Sequence, residues 1–146
     1  MQPFVMSLND IVKHRKCGVI RFACIDQYPV ELNRILEMCG LKPKADKLLE
    51  INSSQAISTL ARWLHREPAY DTELMSREMA EDLAARFIRE FGTEKSRFYT
   101  NAKWFEPGPP HDWESLSDFV WDGGIVMHDE VSNHMRHVCL WFLAAD

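Results

Sequence analysis

Apolar positions change their spacing near residue 92, from a helical period to the runs and alternations of strands. Met75, Met79, Leu83, Phe87 and Phe91 recur every fourth residue, with Ala80, Ala84 and Ile88 beside them and Gly92 just past the end. This is the strongest helical signal in the chain. Its other side holds Arg77, Glu78, Glu81, Asp82, Arg86, Arg89 and Glu90, a solvated face on which Asp82 precedes Arg86 by one favourable turn. Further upstream, Ser7 to Asp10 reads as a capping box that opens a short helix carrying Leu8, Ile11 and Val12 and stopping before Gly18. Val19 to Ile25 reads as a strand. Pro29 opens a helix through Leu32, Ile35, Leu36 and Cys39 that Gly40 closes. Pro43 with Leu48, Leu49 and Ile51 predicts another short helix, and Asn52-Ser53-Ser54 caps one through Ile57, Leu60, Ala61 and Leu64.

Beyond Gly92, Arg97 to Thr100 and Ala102 to Phe105 are aromatic and β-prone, and Pro107-Gly-Pro-Pro110 forbids regular structure. Phe119 to Trp121 and Ile125 to Met127 read as strands on either side of a turn at Asp122-Gly-Gly124, followed by the turn-like Asp129 to Asn133. Arg136 to Ala144 is apolar on both faces, the mark of a central, buried strand. Helices first and strands last predict an α+β fold, with N-terminal helices packed on one face of a C-terminal antiparallel β-meander. Residues 1–146 are expected to form a single globular domain, helix-rich over 1–92 and sheet-rich over 93–146.

With 46% hydrophobic and 27% charged residues, the chain has the composition of a packed protein, which excludes disordered and collagen-like classes. Apolar runs such as Val138 to Ala145 are far short of the roughly 20 residues that cross a bilayer. Met1 to Asp10 lacks the basic start and apolar stretch of a secretory signal, so a cytoplasmic protein is expected. Cys17, Cys24, Cys39 and Cys139 form no CxxC pair and suit reduced, buried thiols.

Charge is unevenly distributed. Residues 1–48 hold eight Lys or Arg against five acids (+3), residues 49–103 eight against nine (−1), and residues 104–146 one against eight (−7), which sums to the net −5. Trp104, Trp113, Trp121 and Trp141, four of the five tryptophans, fall in or at the edge of that acidic third. Carboxylates steer a basic partner into encounter and tryptophans then anchor it, so Asp112, Trp113, Glu114, Asp118, Asp122, Asp129 and Glu130 are the candidate partner-binding residues. The competing reading is that the carboxylates keep a hydrophobic sheet soluble and the tryptophans fill its core. The same negative potential repels phosphate backbones, so no nucleic-acid partner is expected. The basic cluster Lys13-His-Arg-Lys16 suits the negative end of a helix dipole as well as it suits phosphate.

Four of the six histidines, His111, His128, His134 and His137, lie in the same third. Across the expected hairpin His128 and His134 could face one another as two metal ligands, with His137 on the opposite strand face from His134. No HExxH or CxxC spacing supports a site, and neither a metal nor another cofactor is expected. His137 and Cys139 share a strand face at roughly 7 Å, too far for a direct thiol–imidazole hydrogen bond. Asp112 and Glu114 could serve as acid and base, which leaves a small metal- or carboxylate-dependent enzyme as the alternative. A further alternative is a homo-oligomer in which the basic first third of one copy meets the acidic last third of another.

The segment Trp113-Glu-Ser-Leu-Ser-Asp-Phe-Val-Trp-Asp-Gly-Gly-Ile-Val-Met-His-Asp129 and the terminal Cys139-Leu-Trp-Phe-Leu143 resemble small bacterial immunity-type proteins, which end in a DGG-hydrophobic hairpin and an acidic, Trp-containing strand. The likeness covers under a third of the chain, and the acidic tail is reduced here to Asp146. It implies a non-enzymatic, toxin-neutralising inhibitor that occludes a basic site on its partner.

Overall fold

The computed structural model describes residues 3–15, 18–26, 30–68, 71–110, 112–128 and 137–144, with residues 3–6 as backbone only. Four helices, α1 (Pro3–His14), α2 (Leu32–Met38), α3 (Ser53–His65) and α4 (Arg77–Phe91), surround a sheet of five strands. In chain order these strands are β1 (Val19–Ile25), β2 (Leu49–Ile51), β5 (Arg97–Thr100), β6 (Trp121–His128) and β7 (His137–Ala144), while β3 (Arg66–Glu67) and β4 (Thr72–Glu73) form a separate small hairpin. The spatial order is β1-β7-β6-β5-β2, and every pairing is antiparallel. The fold is α+β, with helices mostly N-terminal and strands mostly C-terminal.

The meander β5-β6-β7 follows the expected chain order, and two strands from the helix-rich part extend it on either side. Val19–Ile25 is a strand, as its pattern predicts, and pairs from Val19↔Leu143 to Ile25↔His137. The segment expected as a short helix after Pro43 is instead a 3-10 turn, Ala45–Lys47, followed by β2. The apolar spacing there fits a turn of helix, but pairing Leu49↔Thr100 and Ile51↔Phe98 buries Ile51 in the sheet and leaves Glu50 outside. Helix α3 starts where its cap signal lies: the Asn52 side chain accepts from Gln55 N at 2.8 Å, and the Gln55 side chain accepts from Asn52 N at 3.0 Å. For α4 the cap is Ser76, whose Oγ accepts from Met79 N at 3.1 Å.

Strand β7 is buried along its whole length, which matches its two apolar faces. A hydrophobic cluster lies on each side of the sheet. Ile11, Leu60, Trp63, Leu83 and Phe87 from α1, α3 and α4 meet Ile125, Leu140 and Phe142 on one side. On the other, Ile35 and Leu36 of α2 with Leu41 and Leu116 cover Val126, Cys139, Trp141 and Leu143. The expectation of helices on one face is therefore corrected: a short helix and two connecting segments cover the second.

Asp122-Gly-Gly124 is not a turn; it lies inside β6. Glycine is needed there because of what lies above and below the strand. A Cβ on Gly123 would stand 2.6 Å from Trp63 Nε1 and 2.7 Å from Trp104 Nε1, and one on Gly124 would collide with Leu140 O and stand 2.8 Å from Trp141 Cα. Ala102 to Phe105, expected as a strand, is irregular. It opens the connection that carries the candidate site.

Candidate functional site

Between Thr100 and Trp121 runs a connection of 20 residues (101–120) with no helix or strand among its described residues. Connections of that length in compact domains are uncommon and serve mostly as binding loops or stay disordered. This one is fixed at both halves by polar side chains, half-buried on one half and buried on the other.

The first half is held by Arg62 of α3. Its Nη1 donates to the carbonyls of Trp104 at 3.3 Å, Glu106 at 2.9 Å and Gly108 at 2.6 Å, and its guanidinium lies 5.7 Å from the Trp104 ring centroid. Burial pulls this guanidinium below its ordinary pKa, with the charge of Asp71 opposing the shift. The second half is held by Asp122, which is 0% exposed. Its carboxyl oxygens accept from Ser117 Oγ at 2.5 Å, Ser117 N at 2.8 Å, Leu116 N at 3.0 Å, Trp141 Nε1 at 3.1 Å and Asn101 Nδ2 at 3.3 Å. Asn101 joins the two halves. Its Nδ2 also donates to Glu114 O at 3.1 Å and Asp122 O at 3.0 Å, and its Oδ1 accepts from Trp104 Nε1 at 2.8 Å.

Aromatic rings complete the support. From the core outward, Trp63 meets Trp104 edge-on at 4.9 Å, Trp104 meets Trp113 at 5.5 Å, and Trp113 stacks on Trp121 at 5.3 Å with 26° between planes. Between this loop and α3 lies a cleft of about 700 Å³ bordered by Arg62, His65, Arg77, Glu81, Trp104 and Trp121. His65 Nδ1 donates to Met75 O at 2.9 Å, which orients its ring toward the β3-β4 hairpin.

The residues proposed from sequence separate into three groups. Asp112 is exposed, Trp113 and Glu114 are half-buried, and the Asp118 side chain is 96% exposed; these share the loop. Asp122 is corrected: it is a buried acceptor inside the fold and presents nothing to a partner. Asp129, Glu130 and His134 lie outside the described residues. Two of the loop acids meet lysines of the basic first third, Glu114 with Lys44 at 2.6 Å and Asp118 with Lys42 at 3.3 Å. Hydrogen bonding to Lys44 holds the Glu114 carboxyl below its usual pKa and, reciprocally, holds Lys44 above its own. Sequence reasoning missed Arg62 and Asn101, whose roles depend on contacts across 42 or more residues and across 21. It also left out Glu106 and Val120, which stand exposed on the same loop.

His128 is buried, its Nε2 donating to Val30 O at 2.7 Å, and its ring lies 4.9 Å from that of His137 on the neighbouring strand. The histidine that meets His128 across β6 and β7 is thus His137. Among the described residues no group of three His, Cys, Asp or Glu is placed to hold a metal ion. Burial pushes the Cys139 thiol well above its ordinary pKa, so it stays protonated and makes a poor nucleophile beside His137.

Fold and loop together define an α+β protein with a pinned acidic segment, and no described helix is long and apolar enough to cross a membrane. No protein-family model, curated protein or solved structure matches this chain, so its function is argued from its own residues.

Proposed function

We propose that this chain is a non-enzymatic binding module, acting in the cytoplasm, that recognises a basic protein through the loop 101–120. The observation that carries the reading is the double clamp: Arg62 on one half and Asp122 with Asn101 on the other fix a long irregular segment before any partner arrives. A loop ordered in advance loses little entropy on binding, which is the main way a small surface gains affinity. Its exposed side carries Glu106, Asp112 and Asp118, with Glu114 half-buried, against Lys103 alone among basic residues. Val120, 53% exposed, and the half-buried Trp113 supply apolar contact beside those charges. The carboxylates speed encounter with a basic surface, and the apolar pair holds it. Resemblance of the segment from Trp113 to immunity-type proteins makes a toxin with a basic site the candidate partner.

The test is capture of partners from the native host lysate with wild-type bait and with a triple variant, Glu106→Lys, Asp112→Lys and Asp118→Lys, at low and raised salt. All three positions are exposed, so the fold is kept. A basic protein retained by the wild type, weakened by salt and lost with the variant is the expected result. Equal retention by both baits overturns the assignment of this loop.

A further inference from the structure

The cleft between α3 and the loop 101–120, about 700 Å³, is the size of a small-molecule site. Recognition of a protein by the acids of the loop does not use it. Its wall includes Arg62, which holds the loop with Nη1 alone, through the carbonyls of Trp104, Glu106 and Gly108. Nε and Nη2 of the same guanidinium make no hydrogen bond among the described residues and are not sealed from solvent. These two nitrogens share one edge of the planar group, where two parallel N–H bonds match two oxygens of a carboxylate or phosphate. The clamp therefore fixes Arg62 in place and leaves free the edge that grips oxyanions.

Charge and shape select the ligand. Arg62 is half-buried and Arg77 borders the same cleft, yet neither forms an ion pair among the described residues. A guanidinium drawn partly out of water favours an anion beside it, and the burial that lowers the Arg62 pKa expresses that cost. Arg77 is the first residue of α4, where the helix dipole disfavours a cation, so local stability does not account for it. An anion in the cleft is attracted both by Arg77 and by that same dipole. Of the acids on the wall, Asp71 is met by Arg66 at 3.5 Å, and Glu81 and Glu106 are exposed, where water and salt screen them. The rest is aromatic: half-buried Phe105 and Trp121 border the cleft beside Trp104, and Trp113 stacks on Trp121 and fixes its ring. Fixed rings suit a flat aromatic body.

We propose that the cleft binds a small aromatic oxyanion, an aryl carboxylate or aryl phosphate, with its charged group on the free Nε–Nη2 edge of Arg62, drawn there by Arg77, and its ring against Trp121 and Phe105. Capture of a protein by the acidic loop and binding of a small anion in the cleft are separate events, and either proposal can fail without the other.

Titration of the isotope-labelled full chain with naphthoate, naphthyl phosphate and the neutral naphthamide, followed by proton–nitrogen NMR, tests it. The expected result is saturable movement of the Arg62 Nε–H and Trp121 indole signals with one or both anions, at a Kd of about 1 mM or tighter. Which anion binds more tightly tells carboxylate from phosphate. Naphthamide lacks the charge and acetate lacks the ring, so each should bind at least about tenfold more weakly. Two variants separate the site from the fold. Arg62→Lys keeps a charge but loses the two-pronged edge, and should weaken the anion by about tenfold. Arg77→Gln, at an exposed position, should weaken it by about threefold or more with no loss of stability in urea. Equal binding of naphthoate and naphthamide, signals that move only away from the cleft, no saturation at several millimolar, or an affinity unchanged in both variants overturns the proposal.

Discussion

Asp122 offers the sharpest test, because its sequence reading and its place in the structure predict opposite outcomes. Replacing it with alanine removes the acceptor of five hydrogen bonds. Two of the donors have another recourse: Asn101 Nδ2 keeps Glu114 O and Asp122 O, and the Ser117 hydroxyl, whose oxygen accepts from Phe119 N at 3.0 Å, can rotate its proton toward a new acceptor. Three do not, namely the backbone N–H groups of Leu116 and Ser117 and the indole N–H of Trp141. Each orphaned buried donor costs about 1–3 kcal/mol. A water entering the vacated space would satisfy part of this, so the low half of the sum applies, about 3–6 kcal/mol. Against a total stability of about 5–15 kcal/mol the variant still folds, but with much of its margin gone.

Urea unfolding followed by tryptophan fluorescence measures the effect. With a slope of about 1–3 kcal/mol/M, the midpoint should fall by about 2 M. Asp118→Ala, four positions earlier on a side chain 96% exposed, is the control and should stay within about 0.5 kcal/mol of wild type. Hydrogen exchange should also accelerate at the amides of Leu116 and Ser117. If Asp122→Ala matches Asp118→Ala in stability, the carboxyl does not clamp the loop and the argument for a pre-ordered binding segment collapses with it.

Three further outcomes follow from the same geometry. Gly124→Ala should cost more than the about 1–3 kcal/mol of ordinary overpacking, because backbone atoms of Leu140 and Trp141 block the new Cβ; at about 2–4 °C per kcal/mol, calorimetry should show a Tm at least about 6 °C lower. Arg62→Met removes the hold on the carbonyls of Trp104, Glu106 and Gly108, so trypsin should cut after the exposed Lys103 markedly faster while global stability falls by about 1–3 kcal/mol; unchanged cleavage would show that the loop is held otherwise. Glu114 has its folded pKa depressed by Lys44, so its contribution is present above the ordinary carboxylate range and is lost as pH falls below that range through the folded value. Urea midpoints of wild type and Lys44→Met should therefore converge in acid and separate modestly near neutrality, the pair being exposed.

The fold was legible wherever local signals and tertiary needs agree. Asn52 and Gly40 mark helix ends through hydrogen bonds and backbone freedom that involve near neighbours alone, and Gly40 takes φ +73° at the stop of α2. Strand β7 declares itself because a strand covered on both sides must be apolar on both. Legibility ended where distant groups decide. Nothing near Asp122-Gly-Gly124 says that Trp63 and Trp104 lie over Gly123 and Trp141 runs beside Gly124, so the local turn chemistry of an Asp-Gly-Gly run was the reasonable inference and the wrong one. Asp122 itself shows the same limit: an aspartate in an acidic stretch looks like surface until its donors, which come from residues 101, 116, 117 and 141, are brought around it.

Charge, too, changes meaning once the chain is folded. A basic first third and an acidic last third suggested copies joined head to tail, yet Lys42 meets Asp118 and Lys44 meets Glu114 within one chain. The attraction between the thirds thus helps seat the loop against the segment before β2, and less of it is left for a second copy. What remains most open to an incoming partner is the other end of the loop, where Glu106 and Asp112 form no ion pair among the described residues. Long-range steering should therefore depend more on Glu106 and Asp112 than on Glu114 or Asp118, whose fields are already partly cancelled by their lysines. Association rates of single charge reversals, each measured at low salt with the partner the capture identifies, should rank in that order.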